Sequence, residues 1–163
     1  MKLLLISDTH GKTEHLRQLL PRLKDIGMIL HMGDVEGDED MIRSMAACPV
    51  SFVRGNCDPF SREPSEQVLE VQGHKIFMCH GHRHSVKTGL GVLEAAAREQ
   101  GADIALYGHT HLPDCVWKEG MVIVNPGSLE RPYQEGHKPA YAVLEIDGQG
   151  KVHVHMNTLW SLR

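Results

Sequence analysis

The chain has 163 residues, 41% of them hydrophobic and 23% charged, with a formal net charge of -4. Such proportions suit one compact core and exclude a disordered or fibrous chain. Its lysines and arginines are scattered, so no basic stripe marks a nucleic-acid partner.

Short apolar runs bounded by glycine or aspartate predict strands over Lys2–Ile6, Met28–His31, Val50–Val53, Lys75–Cys79 and Ile104–Leu106, each apolar enough to be covered on both faces. Between the first three, Leu16, Leu19, Leu20 and Leu23, then Met41, Ile42 and Met45, recur at helical spacing, giving a β-α-β-α-β opening. Pro21 is expected to kink or restart the first helix. A further helix runs from about Leu90 to Gln100 and closes at Gly101. Beyond it, Met121–Val124, Ala140–Ile146 and the alternating Val152, Val154 and Met156 read as antiparallel strands joined by glycine turns, Asp147-Gly148 among them. The expected class is α/β, two sheets flanked by helices, with no linker or repeat dividing residues 1–163 into more than one domain.

The start of the chain, Met1 to Ile6, is too short in apolar residues for a secretory leader, and no later run reaches the roughly 18 apolar residues of a membrane span. Cys48, Cys57, Cys79 and Cys115 show no paired spacing and read as reduced thiols, Cys48, Cys79 and Cys115 as small core residues. A cytoplasmic protein without membrane attachment is expected. Histidine is the anomaly, at 12 residues of 163.

Those histidines concentrate in polar clusters placed directly after predicted strands: Ser7-Asp8-Thr9-His10-Gly11, Gly33-Asp34, Gly55-Asn56-Cys57-Asp58, His80-Gly81-His82 and Gly108-His109-Thr110-His111. Loops beyond the carboxyl ends of strands in an open α/β sheet converge on one crevice. Each cluster brings a carboxylate, imidazole or amide oxygen suited to a divalent cation. In Asp8-x-His10 and His109-x-His111 the alternating spacing sends both side chains to one side of an extended segment, to clamp one ion or reach neighbouring ions. Asp34 is placed to bridge two. Two-cation sites act on phosphate esters by stabilising both the incoming and the departing oxygen.

The clusters D-x-H, G-D, G-N-x-D, H-G-H and G-H-x-H stand in the order of the calcineurin-like metallophosphoesterases, and the resemblance runs from Met1 to about Ser128. The short length, the Gly-Asn-Cys-Asp form and Asn125-Pro126-Gly127-Ser128 resemble the small YfcE-type phosphodiesterases. The resemblance implies a four-layer αββα sandwich with two central mixed sheets. It implies two divalent transition ions, Mn or else Fe, Zn or Ni: Asp8, His10, Asp34 and His111 hold the first, and Asp34, Asn56, His80 and His109 the second. A metal-bridging hydroxide would attack a small phosphodiester in line, with Asp34 and Asn56 central to catalysis. A monoesterase, a nuclease with the same metals, and a scaffold of the same fold, as in the relative that serves as a retromer subunit, are the competing functions. Small relatives often form dimers or larger assemblies.

The departure is Cys57, where many relatives carry a histidine that pairs with the following aspartate, here Asp58, to protonate the leaving oxygen. An unperturbed thiol titrates at about 8.5, so Cys57 could give a proton near neutral pH, though nearby metals favour its thiolate; acidic leaving groups, or a departing oxygen stabilised by water or a metal, are expected. His82 is read as a substrate contact or a support for the ligands, His84 as surface, His31 as packed behind the site, and His153 with His155 as a solvated strand face. Residues 129–138 form a polar loop in which Arg131 is either solvated or a phosphate contact.

Overall fold

The computed structural model describes residues 1–161. Ten strands form two sheets of five. The first sheet contains β1 (Lys2–Ile6), β2 (Ile26–His31), β3 (Val50–Phe52), β9 (Ala140–Ile146) and β10 (Val152–Thr158), in the order β10-β9-β1-β2-β3. The second contains β4 (Glu66–Val71), β5 (His74–Cys79), β6 (Ile104–Leu106), β7 (Pro113–Lys118) and β8 (Met121–Pro126), in the order β4-β5-β6-β8-β7. Both are mixed: β1, β2 and β3 run parallel, as do β5, β6 and β8, while the edges run antiparallel.

Alternation along each strand builds the layers. Leu3 and Leu5 point between the sheets, where they join Leu30, Met78, Leu106 and Val124 in a shared core. Leu4 and Ile6 point outward against Leu16 and Leu19 of α1 (Glu14–Leu19) and Ile42 of α2 (Glu39–Met45). On the far face Phe77, Ala105 and Ile123 pack on Leu93 and Ala97 of α3 (Gly91–Glu99). The order helix, sheet, sheet, helix is the expected four-layer sandwich. Each fully buried Leu or Ile contributes about 1.5–3 kcal/mol by leaving water. Among the described residues no helix is long and apolar enough to cross a membrane.

Pro21 behaves as its chemistry requires: α1 stops at Leu19 and the chain restarts as a short 3-10 turn over Leu20–Arg22. Three expectations need correction. β8 is not a neighbour of β9 but lies in the other sheet, parallel to β6, because residues 127–139 carry the chain across the site. β4 and β7 were not anticipated; both are edge strands, β4 alternating Glu and Gln with apolar residues and β7 opening on Pro113-Asp114. Such residues are tolerated at edges because one side of the strand needs no ladder partner. His84 is buried, not surface, its ring edge-on to Phe77 with centroids 5.8 Å apart. The short 3-10 turn over His82–His84 folds it back onto β5.

Candidate metal centre

The clusters stand at the carboxyl ends of β1, β2, β3, β5 and β6, and their loops are laced together. The loop after β1 runs along the loop after β2 through Asp8 N–H to the Gly33 carbonyl (3.0 Å), His10 N–H to that of Asp34 (2.9 Å) and Gly11 N–H to that of Val35 (3.0 Å). From the far end of the chain, the Ser128 hydroxyl donates to the Asp8 carbonyl (2.8 Å), and Asn125 Nδ2 donates to the Gly108 carbonyl (2.9 Å).

Asp8, His10, Asp34, His109 and His111 all have positive φ, between 49° and 67°. These segments are therefore not extended, as their alternating spacing suggests, but turn through the left-handed region. Aspartate and histidine enter that region more readily than most side chains, at a cost of about 1–3 kcal/mol each, and such strain gathers at functional sites. Glycine is needed beside them for close approach. A Cβ on Gly55 would stand 2.0 Å from Asp34 Oδ1, and one on Gly108 would stand 2.0 Å from Ser7 Oγ.

Asp8, His10, Asp34 and His111 are buried, with their ligand atoms all within 4.8 Å of one another. His111 Nε2 lies 3.1 Å from Asp8 Oδ1, and His10 Nε2 lies 3.4 Å from His111 Nε2 and 3.9 Å from Asp34 Oδ2. Beside this group, His80 Nε2 stands 3.4 Å from Asp34 Oδ2 and 3.1 Å from Asn56 Oδ1. The His109 ring centroid is 5.0 Å from that of His80. Asp34 thus touches both groups, and His109 and His111 reach different ones.

Three imidazoles are oriented alike. His10 Nδ1 donates to the Glu36 carboxylate (2.6 Å), His80 Nδ1 to the Met32 carbonyl (2.7 Å) and His111 Nδ1 to the Arg131 carbonyl (2.7 Å). With Nδ1 carrying hydrogen, every neutral ring turns an Nε2 lone pair toward the shared space. Outer acceptors of this kind set the tautomer of metal-binding histidines. Asp8 Oδ1 is buried, and the group that approaches it is the His111 ring, with Nε2 at 3.1 Å. Lone pairs converging on lone pairs and carboxylates are repulsive unless a proton or a cation lies among them.

The electrostatics agree. Burial alone would raise the Asp8 carboxyl, but the His111 hydrogen bond and the charges of His80 and His111 hold it below the carboxylate range. Asp34 is likewise held low against its burial, chiefly by His80. Burial disfavours charge on His80 and His111, yet Asp34 and Asp8 respectively lift both. His109 falls to about 4 through burial and the charges of His80 and Lys87. His31, fully buried behind the site, falls to about 4 by desolvation. Its Nδ1 accepts the Gly33 N–H (3.2 Å), so Nε2 carries the hydrogen given to Thr9 Oγ1 (3.1 Å).

The remaining sequence candidates divide. Asp58 spends both carboxylate oxygens on backbone, accepting Gly55 N–H and Glu36 N–H at 2.7 Å each, so it braces the loops. The Cys57 N–H donates to Asp34 Oδ1 (2.8 Å), and its thiol is pushed up to about 11 by burial and the charges of Asp34 and Glu36. His82 stands 5.4 Å from His80 and 6.1 Å from His109 between ring centroids, its Nδ1 buried without a partner. Arg131 is exposed and serves the site through its carbonyl. Sequence reasoning missed Glu36 and the bracing by Asn125 and Ser128. Its one signal was an acidic residue two positions after Asp34.

Known proteins bear on this arrangement. A profile of the calcineurin-like phosphoesterase superfamily domain matches residues 1–149. The probable metallophosphoesterase YsnB of Bacillus subtilis is 33% identical over 148 residues, covering 90% of this chain and 85% of that protein. Phosphodiesterase YfcE of Escherichia coli is 29% identical over 173 aligned positions, covering 90% and 89%. The crystal structure of a predicted phosphoesterase from Streptococcus pneumoniae superposes with a TM-score of 0.84 at 28% identity, over 97% of this chain and 89% of that one. Vacuolar protein sorting 29 from Cryptosporidium parvum superposes at 0.76 with 25% identity, over 96% of each. The chain belongs to the calcineurin-like phosphoesterase superfamily, whose members use divalent metals.

Proposed function

We propose that the chain, acting as one domain, is a metal-dependent phosphodiesterase. The observation that carries this reading is the convergence of the Nε2 atoms of His10, His80 and His111 on Asp8 and Asp34, each ring tied back through Nδ1. Asp8, His10, Asp34 and His111 would hold one divalent cation, and Asp34, Asn56, His80 and His109 a second. Mixed imidazole, amide and carboxylate ligands suit Mn, or Fe, Zn or Ni. When bound, such a pair supplies Lewis-acid charge to the phosphoryl group and lowers the pKa of water.

The chain's own side chains do the rest. Asn56, exposed, and His109, half-buried, form the open side of the cluster and face arriving substrate. His82, its ring beside those of His80 and His109, would help orient a phosphoryl oxygen. Water oxygen would form the new bond to phosphorus as the opposite P–O bond breaks, the departing oxygen leaving as an anion and the water proton passing to solvent. No acid of matched pKa stands on the Cys57 side, since burial and the charges of Asp34 and Glu36 push that thiol up to about 11. Leaving groups that depart as stable anions are therefore preferred. The four cysteines are free, which suits the cytoplasm.

The test is turnover of bis(p-nitrophenyl) phosphate and p-nitrophenyl phosphate by protein stripped with chelator and reloaded with Mn. Metal-dependent diester cleavage is expected. Preference for the monoester would overturn the substrate class and keep the metal chemistry. The likeness to vacuolar protein sorting 29 favours a second reading, a protein-interaction scaffold, to which full metal occupancy without turnover would lead.

A further inference from the structure

A cavity of about 380 Å³ adjoins the cluster, lined by Glu36, Glu39, Cys57, Asp58, Pro59 and Phe60 among others. Glu36 reaches the cluster through His10, and Cys57 through its N–H on Asp34. The cavity therefore begins where the candidate ligands end. Its volume lies in the range of small-molecule pockets.

Two features define what would fill it. Phe60, at its lip, is 95% exposed, so almost the whole ring is available to a partner. The charged lining residues are all carboxylates: Asp58 is committed to backbone amides, Glu39 accepts the Ser61 hydroxyl (2.7 Å), and Glu36 is 34% exposed beside His10. A second cavity beside the cluster, of about 480 Å³, differs in charge, its lining pairing Lys87 with Asp114. Tyr133, which borders it, stacks on His111, centroids 4.6 Å apart.

We propose that the Phe60 cavity receives one arm of the substrate, and that this arm is a flat aromatic ring without negative charge. The inference rests on the phosphodiesterase reading and narrows its substrate class to aryl or heteroaryl phosphodiesters. The ring stacks on Phe60, and Glu36 and Glu39 repel an anionic arm, which excludes polyphosphates from that side. A dialkyl diester gains nothing from the exposed phenyl group.

Calorimetric titration of the Mn-loaded protein with diphenyl phosphate and diethyl phosphate tests this without requiring turnover. Diphenyl phosphate is expected to bind about tenfold tighter, the size of one aromatic pair. Phe60→Ala should abolish that preference while leaving the diethyl affinity and the melting temperature unchanged. A diester with a carboxylate on both arms, bis(p-carboxyphenyl) phosphate, should bind more weakly than diphenyl phosphate and recover part of the loss in Glu39→Gln. The inference is overturned if neither diester binds, if Phe60→Ala keeps the preference, or if it weakens both diesters equally. Failure of the phosphodiesterase reading is seen separately, as metal-loaded protein that binds diphenyl phosphate but leaves bis(p-nitrophenyl) phosphate intact.

Discussion

The two halves of the candidate centre are built differently. Asp8, His10, Asp34 and His111 are buried, ringed by hydrogen bonds from three loops, and strained in their backbone. Of the other half only His80 is buried; Asn56 is exposed and His109 half-buried. The first half is held by the fold itself, so a cation bound there would add to the stability of the folded chain. The second leaves room on one side, as a centre must where substrate enters.

Breaking the residue common to both halves should have the largest effect. Asp34→Asn keeps the shape, removes the charge that His10 and His80 face, and is expected to lower diester turnover on the order of a thousandfold, with bound metal measured alongside. Next, His111→Ala should remove the rise in melting temperature that Mn gives the wild type, whereas His109→Ala should retain most of that rise and lose turnover. Equal losses in both assays for the two variants would erase the distinction between the halves.

Glu36→Gln sharpens the contrast more finely. The amide still accepts from His10 Nδ1 but no longer carries charge, and metal affinity is expected to fall about ten- to a hundredfold, as for other residues that orient metal-binding histidines. Cys57→Ala should cost less than about tenfold with a p-nitrophenolate leaving group, because that anion needs no proton to depart; a larger loss would give the thiol a chemical role. The smallest effect lies far from the centre. Asp147 is held down to about 2 by His153 and by the amides of Lys151 and Gln149. A carboxyl lowered from 3.8 stabilises the fold above that pH and loses its contribution as pH falls toward 2. Asp147→Asn should therefore lower the melting temperature slightly near neutrality and converge with the wild type as pH falls from about 4 to 2, flattening the acid limb of the melting profile.

Much of this was legible because each ligand cluster directly follows an apolar run that can only be a buried strand. That rule singles out Asp8, Asp34, Asn56, His80 and His109 as candidates, which the fold brings to one crevice, and the β-α-β-α-β opening with them. What the sequence hid are partners distant along the chain. Glu36 acts on His10, Ser128 on Asp8, and Asn125 on Gly108, and nothing local announces such pairs. β4 and β7 were hidden for another reason: edge strands carry charge and proline that a buried strand would not bear. His84 looked exposed because it stands among polar residues, and only the turn over His82–His84 brings it against Phe77.

The central claim is that two cations share Asp34 between a buried and an open half. Its most direct test is the stoichiometry of Mn binding to chelator-stripped protein by calorimetry. Two equivalents per chain are predicted, the open-half equivalent lost in His109→Ala while the other persists. A single equivalent in the wild type, or binding that His109→Ala leaves unchanged, would contradict it.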